Sequence, residues 1–134
     1  MKLIRLAGIL GFLAVALGAF GAHALKAHLT PEMADIYHTA VLYHFVHTLA
    51  LLGYGIWQDR TGGVTWPGWC FGAGIMLFSG SLYGLALTGI KGLGAVTPIG
   101  GVLFLAGWVG VMLVVGKKRN IHRNVSSLNR PFRG

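Results

Sequence analysis

Four long apolar runs, separated by short polar breaks, dominate the sequence. They cover roughly residues 3–24, 37–57, 69–90 and 98–116. A helix needs about 20 apolar residues to cross the roughly 30 Å of hydrocarbon in a bilayer, so each run is long enough to be a transmembrane helix. Only 10% of the residues are charged, against about 25% in soluble domains. So few charges could not cover a water-facing surface, and we therefore predict an integral membrane protein.

The breaks between the runs carry signals for helix starts. Thr30-Pro31 and Thr97-Pro98 each combine an N-cap residue with a proline at the first helical position, and Trp66-Pro67 opens the third run. Connections this short place consecutive helices side by side and antiparallel. The predicted fold is an all-α, four-helix up-down bundle over residues 1–116, followed by a basic tail over residues 117–134.

The distribution of lysine and arginine predicts the orientation of the bundle. Positive charge accumulates in cytoplasmic loops and tails. Of the 11 basic residues, one side of the bundle receives all except Lys26 and Lys91. We therefore expect both termini in the cytoplasm and the protein in the plasma membrane. Anionic lipid headgroups are the expected partners of the tail, and the residues proposed for this contact are Lys117, Lys118, Arg119 and Arg123.

Small residues recur along the predicted helices. In lipid, helices associate where small side chains let their backbones come close together. The residues predicted to pack in this way are Ala14, Gly18 and Ala22 in the first helix, Gly80 and Gly84 in the third, and Gly101 and Gly107 in the fourth. These faces could be satisfied within one bundle, in a homo-oligomer or in a larger membrane complex.

Three histidines fall inside the second apolar run: His38 at its outer boundary, and His44 and His47 deeper in it. His47 lies near the predicted midplane, in the same layer as Ser79 and Ser81 of the third run, and His44 lies level with Tyr83. Ionisable residues inside a membrane generally face the bundle and often have a function. We predict a hydrogen bond between His47 and one of the two serines. The candidate intramembrane polar site consists of His44, His47, Ser79, Ser81 and Tyr83.

Other uses of the histidines are weaker. A divalent metal could be bound at the end opposite the termini by His23, His28, Glu32, Asp35 and His38. A bis-imidazole haem is disfavoured because His44 could pair only with His23, at a different depth. We expect no cofactor and no nucleic-acid partner. No carboxylate lies near enough to orient a Ser–His dyad, so we expect no enzymatic activity.

Four segments in order, "GAFGAHAL", "YHTAVLYHFVHTLALL", "LFSGSLYGLALTG" and "TPIGGVLFLAGW", resemble the YgdD-like family of small inner-membrane proteins, which carries the domain of unknown function 423. The resemblance extends to about residue 116 and omits the basic tail. It implies a four-helix protein of the bacterial plasma membrane and implies no activity. The matching positions are Gly18, Gly21, His23, His44, His47, Ser79, Gly80, Ser81, Tyr83, Thr97, Pro98 and Gly101.

Two functional hypotheses follow. The first is a structural or accessory protein that packs against itself or against a larger membrane complex through its glycine-rich faces. The alternative is a binding or transport module, linked to protons or a metal, that uses His44, His47 and Ser81 or the outer histidines.

Overall fold

The computed structural model describes residues 1–128, apart from the side chains of residues 118 and 119. Three consecutive helical segments form one continuous rod, here called the α3/α4 rod: α3 (Trp66–Gly74), a π-helical segment (Ile75–Ser79) and α4 (Gly80–Thr88). Four helices, counting this rod as one, are therefore long and apolar enough to cross a membrane, and the predicted four-helix membrane architecture is confirmed. The elements are α1 (Lys2–His23), α2 (Pro31–Thr61), α3 (Trp66–Gly74), the π-helical segment (Ile75–Ser79), α4 (Gly80–Thr88), a short 3₁₀ helix (Lys91–Ala95) and α5 (Thr97–Leu128).

The helix starts coincide with the threonine and proline signals. The Thr30 hydroxyl accepts a hydrogen bond from the Met33 backbone N–H at 3.2 Å, so it caps α2, which starts at Pro31. α5 starts at Thr97 and continues to Leu128 without a break. From residue 117 onward, the first residues of the predicted tail thus continue the last membrane-spanning candidate as helix. Residues 129–134 of that tail lie outside the described residues.

The bundle has a central pair of helices and two peripheral ones. α2 and the α3/α4 rod pack against each other, α1 packs mainly against α2, and α5 packs against the rod. Within the apolar stretch of each helix, 39% of the residues of α2 and 44% of those of the rod are buried, against 22% in both α1 and α5. α1 and α5 therefore lie on opposite sides of the central pair. The end of the bundle that holds the start of α1, the end of α2 and the extension of α5 is called the basic end below.

α1 contacts the bundle through a stripe that differs from the predicted one. Its buried residues are four, three, four and seven positions apart, whereas the predicted stripe had a constant spacing of four. A four-residue step turns about 40° further round the helix each time, while an average step of 3.5 stays on one face. Ala14 belongs to both stripes, but Ala22 is exposed and Gly18 is only half-buried. The buried stripe is Leu3, Ala7, Leu10, Ala14 and Gly21.

The closest helix contact lies between α5 and the rod, at Gly100. A Cβ at this position would lie 2.7 Å from the Cα of Phe78, so the two backbones are in direct contact. Phe78 lies in the π-helical segment, which widens the rod locally. Gly107 similarly faces Phe71 at 2.7 Å, whereas Gly101 approaches the rod only to 3.8 Å. Among the glycines of this interface, Gly100 is therefore the one whose added Cβ would come within 3.0 Å of backbone atoms of the other helix.

Gly80 and Gly84 do not join α2 to the rod. Gly80 is exposed and has nothing within 4 Å of a Cβ position, so it does not supply the predicted close packing within this bundle. A Cβ at Gly84 would lie 2.9 Å from Leu93 in the 3₁₀ helix. The reason is rotational: both glycines lie on faces of α4 turned away from α2.

The connection between α2 and α3 folds back along α2. Gly62 ends α2 in the left-handed conformation, with φ of 61°, and the Gln58 side chain donates to the Gly63 carbonyl at 3.0 Å. The Tyr54 hydroxyl then donates to the Val64 carbonyl at 2.8 Å. α3 therefore begins level with Tyr54, and the last two turns of α2 project beyond it. This overhang shifts the layers of the rod relative to α2.

Candidate functional site

His47 links α2 to α5 through both of its ring nitrogens. Nδ1 lies 2.8 Å from the Tyr43 carbonyl oxygen, and the indole N–H of Trp108 donates to Nε2 at 3.3 Å. A carbonyl only accepts and an indole N–H only donates. The two bonds together therefore require a neutral ring that carries its proton on Nδ1. His47 is buried, and neither of its nitrogens is left for a further ligand.

Aromatic rings surround His47 on the side of the rod and α5. Its ring stacks on Phe104, with centroids 3.5 Å apart and planes inclined by 8°. The ring centroids of Phe71 and Trp108 lie further from that of His47, at 6.0 and 6.2 Å. The histidine is thus part of the packing between α2, α3 and α5.

The predicted hydrogen bond from His47 to a serine is wrong. The Ser79 hydroxyl donates instead to the Ala40 carbonyl of α2 at 2.8 Å. The Ser81 hydroxyl lies 2.6 Å from that of Thr97, where it joins α4 to the start of α5. The cause is the overhang of α2, which moves the serines nearly two turns away from the level of His47. Both serines still connect helices, but they contact other partners.

His44 and Tyr83 are brought together across α2 and α4. His44 Nδ1 lies 3.0 Å from the Tyr83 hydroxyl, and the Tyr83 ring packs edge-on against Tyr37 with centroids 5.2 Å apart. The Tyr37 hydroxyl donates to the Leu17 carbonyl of α1. The Tyr37 ring fits against α1 because Gly21 has no side chain. A Cβ on residue 21 would lie 2.8 Å from the Tyr37 Cδ1. These groups form a polar column between the end opposite the basic end and the middle of the bundle.

The column ends in two buried atoms without hydrogen-bond partners. They are His44 Nε2 and, one turn along α2, Thr48 Oγ1. The Leu10 carbonyl of α1 faces the His44 ring, but no bond of ordinary geometry reaches Nε2. Beyond Thr48 the core is apolar towards the basic end, where Leu3 and Leu51 pack together. His44 therefore differs from His47 in having one ring nitrogen unsatisfied.

The remaining candidate residues lie at the two ends of the molecule. At the end opposite the basic end, the proposed metal ligands His23, His28, Glu32, Asp35 and His38 are all exposed. Within residues 1–128, no three His, Cys, Asp or Glu side chains are close enough together to hold a metal ion. In the tail, Lys117 and Arg123 are exposed on the α5 extension, while the side chains of Lys118 and Arg119 lie outside the described residues.

The five predicted site residues did not include Tyr37, Trp108 or Thr48, which belong to the buried polar groups described above. Trp108 was not selected because its run is uniformly apolar, yet an indole N–H inside hydrocarbon needs an acceptor. That requirement could have drawn attention to His47, which supplies the acceptor. Thr48 carries no comparable signal, because a threonine inside a helix usually bonds to its own backbone.

The fold and these buried polar contacts define a class of protein. It is a small four-helix integral membrane protein whose buried polar side chains mostly join one helix to the next. The model of the family described as "Protein of unknown function (DUF423)" matches residues 17–101. The chain belongs to this family, and the resemblance noted in the sequence is confirmed.

Three relatives, each named a UPF0382 membrane protein, match most of the chain. The one from Staphylococcus saprophyticus is 48% identical over 87% of this chain and 97% of its own length. The one from Staphylococcus aureus strain bovine RF122 is 45% identical over 87% and 98%. YwdK of Bacillus subtilis is 44% identical over 85% and 95%. No solved structure matches the chain.

Proposed function

We propose that this chain is a non-enzymatic plasma-membrane protein with both termini in the cytoplasm, and that it acts as an accessory subunit. In this role it assembles with a second copy or with a larger membrane complex through its lipid-facing surface. The buried histidines and serines hold its own helices together.

The observation that carries this proposal is the state of His47. A metal ligand or a proton carrier at the midplane needs a nitrogen that can change its partner. Both nitrogens of His47 are engaged, and protonation of Nε2 would place two donors, the ring and the Trp108 indole, against each other. Its role in this proposal is therefore structural, which directs the search for a function towards other parts of the bundle, above all its outer surface.

Open glycines on that surface support assembly. Gly8, Gly53 and Gly80 are exposed on α1, α2 and α4, and none has an atom within 4 Å of a Cβ position. Glycine destabilises a helix by about 1 kcal/mol relative to alanine, and nothing within the bundle requires it at these places. Small residues on the surface of a transmembrane helix let another helix come close.

Native mass spectrometry tests the assembly directly. The protein would be released from its own membrane in polymer-bounded lipid discs, without detergent. We expect a homo-oligomer or a complex with a companion subunit, and we expect Gly80→Leu or Gly53→Leu to reduce it. Ala16→Leu, at an exposed position of α1, is the control for added bulk. A monomer without companions at native abundance would refute the proposal.

A second candidate function, proton exchange at His44, is favoured by its unsatisfied nitrogen. The Tyr83 hydroxyl can donate to Nδ1 or rotate and accept from it. Nδ1 can therefore take up a proton and release it again without losing this contact. His47 has no such freedom, because its partner Trp108 can only donate.

Substitution of each histidine separates the two candidates. Purified protein would be placed in liposomes with an internal pH dye, and a potassium gradient with valinomycin would drive protons inward. Proton exchange at His44 predicts a flux above that of empty liposomes which His44→Gln abolishes and His47→Gln retains. A flux equal to that of empty liposomes, or one that His44→Gln leaves unchanged, would exclude this candidate.

A further inference from the structure

A groove of about 690 Å³ lies at the basic end, between α2 and the extension of α5. Its α2 side is formed by the last turns of the helix, including Trp57 and Arg60. Its α5 side continues past the predicted span into the helical extension. The lining residues are Trp57, Arg60, Thr61, Val115, Ile121, His122, Arg123 and Ser126.

The groove exists because the central rod is shorter than its neighbours at this end. α3 begins at Trp66, level with Tyr54, and Gly110 of α5 packs against Trp66 and Pro67. Beyond this level α2 and α5 both continue, but the rod no longer separates them. The groove lies between these two overhanging helices.

The lining of the groove combines apolar, aromatic and charged residues. Val115 and Ile121 offer apolar surface, and Trp57 is an aromatic residue of the kind found at membrane interfaces. Arg60 and Arg123 contribute positive charge, and no carboxylate is among the lining residues. Asp59, the one acidic residue at this end, is paired at 2.7 Å with the N-terminal amine. The charge of the two arginines is therefore not neutralised by Asp59.

We propose that this groove binds an anionic phospholipid of the adjacent leaflet, with the phosphate at Arg60 and Arg123 and an acyl chain along Val115 and Ile121. Arginine side chains bind phosphate oxygens through paired N–H donors. A soluble anion would use only the charged part of the groove, whereas a phospholipid matches both parts. The occupant thus follows from charge complementarity combined with adjoining apolar surface at the boundary of the bilayer.

Binding in the groove differs from diffuse attraction by the basic tail in its dependence on particular residues. Diffuse attraction to an anionic surface weakens by a similar amount whichever nearby lysine or arginine is removed. A built groove depends on particular residues, including Arg60, which lies on α2 and not on the tail. Lys117 belongs to the same α5 extension but does not line the groove. It therefore supplies a matched control.

The experiment measures which lipid is retained. Full-length protein in nanodiscs of equal parts phosphatidylglycerol and phosphatidylcholine would be analysed by native mass spectrometry with increasing collisional activation. The groove variant is Arg60→Gln with Arg123→Gln. The control is Lys2→Gln with Lys117→Gln, which removes the same charge from the same end. All four positions are exposed, so both variants are expected to fold, as a matching thermal unfolding curve would verify.

We expect the wild type to retain phosphatidylglycerol over phosphatidylcholine, and the groove variant to lose at least fivefold more of this retention than the control. Ile121→Ser should also weaken retention, because the apolar part binds the acyl chain. Equal losses in the two double variants, or no preference for phosphatidylglycerol, would overturn the proposal. It would also be overturned if inorganic phosphate alone bound the delipidated protein as tightly and Ile121→Ser had no effect.

Discussion

The hydrogen bond between His47 and Trp108 leads to a quantitative prediction about stability. His47→Leu removes this bond and the stacking on Phe104, whose centroid lies 3.5 Å away. Hydrogen bonds between helices in a membrane contribute about 0.6 kcal/mol on average and up to about 1.7. A stacked aromatic pair adds about 0.5–1.5 kcal/mol. We therefore expect His47→Leu to lower the free energy of unfolding by about 1–3 kcal/mol.

A double-mutant cycle isolates the hydrogen bond from the packing. Trp108→Phe removes the donor and keeps an aromatic ring, and it should be more destabilising when His47 is present than when position 47 is leucine. Unfolding by sodium dodecyl sulfate in bicelles, measured for the wild type, both single variants and the double variant, gives the coupling energy. We expect about 0.6–1.7 kcal/mol. Because additivity holds only to about 0.3–0.5 kcal/mol, a coupling below about 0.3 would refute the bond.

Nitrogen NMR provides an independent check on the same residue. The two bonds of His47 require the tautomer with the proton on Nδ1. The ¹⁵N shifts of a selectively labelled histidine distinguish this form from the Nε2–H tautomer and from the charged ring. We expect the Nδ1–H form for His47, and Trp108→Phe should alter the shift of Nε2 more than that of Nδ1. A ring with its proton on Nε2 would contradict the geometry described here.

Two further predictions concern contacts between helices. Gly100→Ala should lower the free energy of unfolding by about 1–3 kcal/mol, as overpacking does, because its Cβ would overlap the backbone of Phe78. The adjacent Gly101→Ala, with 3.8 Å of clearance, should be neutral or slightly stabilising. Equal effects of the two substitutions in the same bicelle assay would contradict the contact. Ser79→Ala should lower the free energy of unfolding by about 0.5–1.5 kcal/mol, because it removes the buried bond to the Ala40 carbonyl. The control is Thr39→Ala, whose bond is exposed and within α2, and it should change this free energy by less than about 0.5 kcal/mol. A serine variant as stable as the threonine control would show that the Ser79 bond contributes nothing.

The sequence predicted the number and starts of the helices because these depend on local signals. An apolar run of sufficient length and a Thr-Pro pair are readable without knowing what surrounds them. The end of α5 was not readable in the same way. Its predicted span stops at residue 116, where the apolar residues stop, but the helix continues to Leu128. Hydropathy reports where the bilayer ends, and a helix has no need to end at the same place.

The partners of the polar residues were harder to predict because they depend on the return from α2 to α3. Gly62-Gly63 indicates a turn, but nothing in these residues tells how far the chain folds back before α3 begins. Tyr54 fixes that distance by bonding to Val64. Once the rod is shifted, Ser79 meets Ala40 instead of His47. His44 still meets Tyr83 because the long tyrosine side chain reaches towards the start of its own helix, and therefore towards the middle of the bundle.

The arrangement of two peripheral helices on a central pair also bears on the order of assembly. α1 contacts mainly α2, so this hairpin can form as soon as its second helix has entered the membrane. α5 packs on the α3/α4 rod and makes its closest backbone contact at Gly100, near its own beginning. The final helix can therefore dock progressively from Gly100 as it emerges from the insertion machinery. Biogenesis would proceed from one edge of the molecule to the other, and no helix already in place would have to move aside.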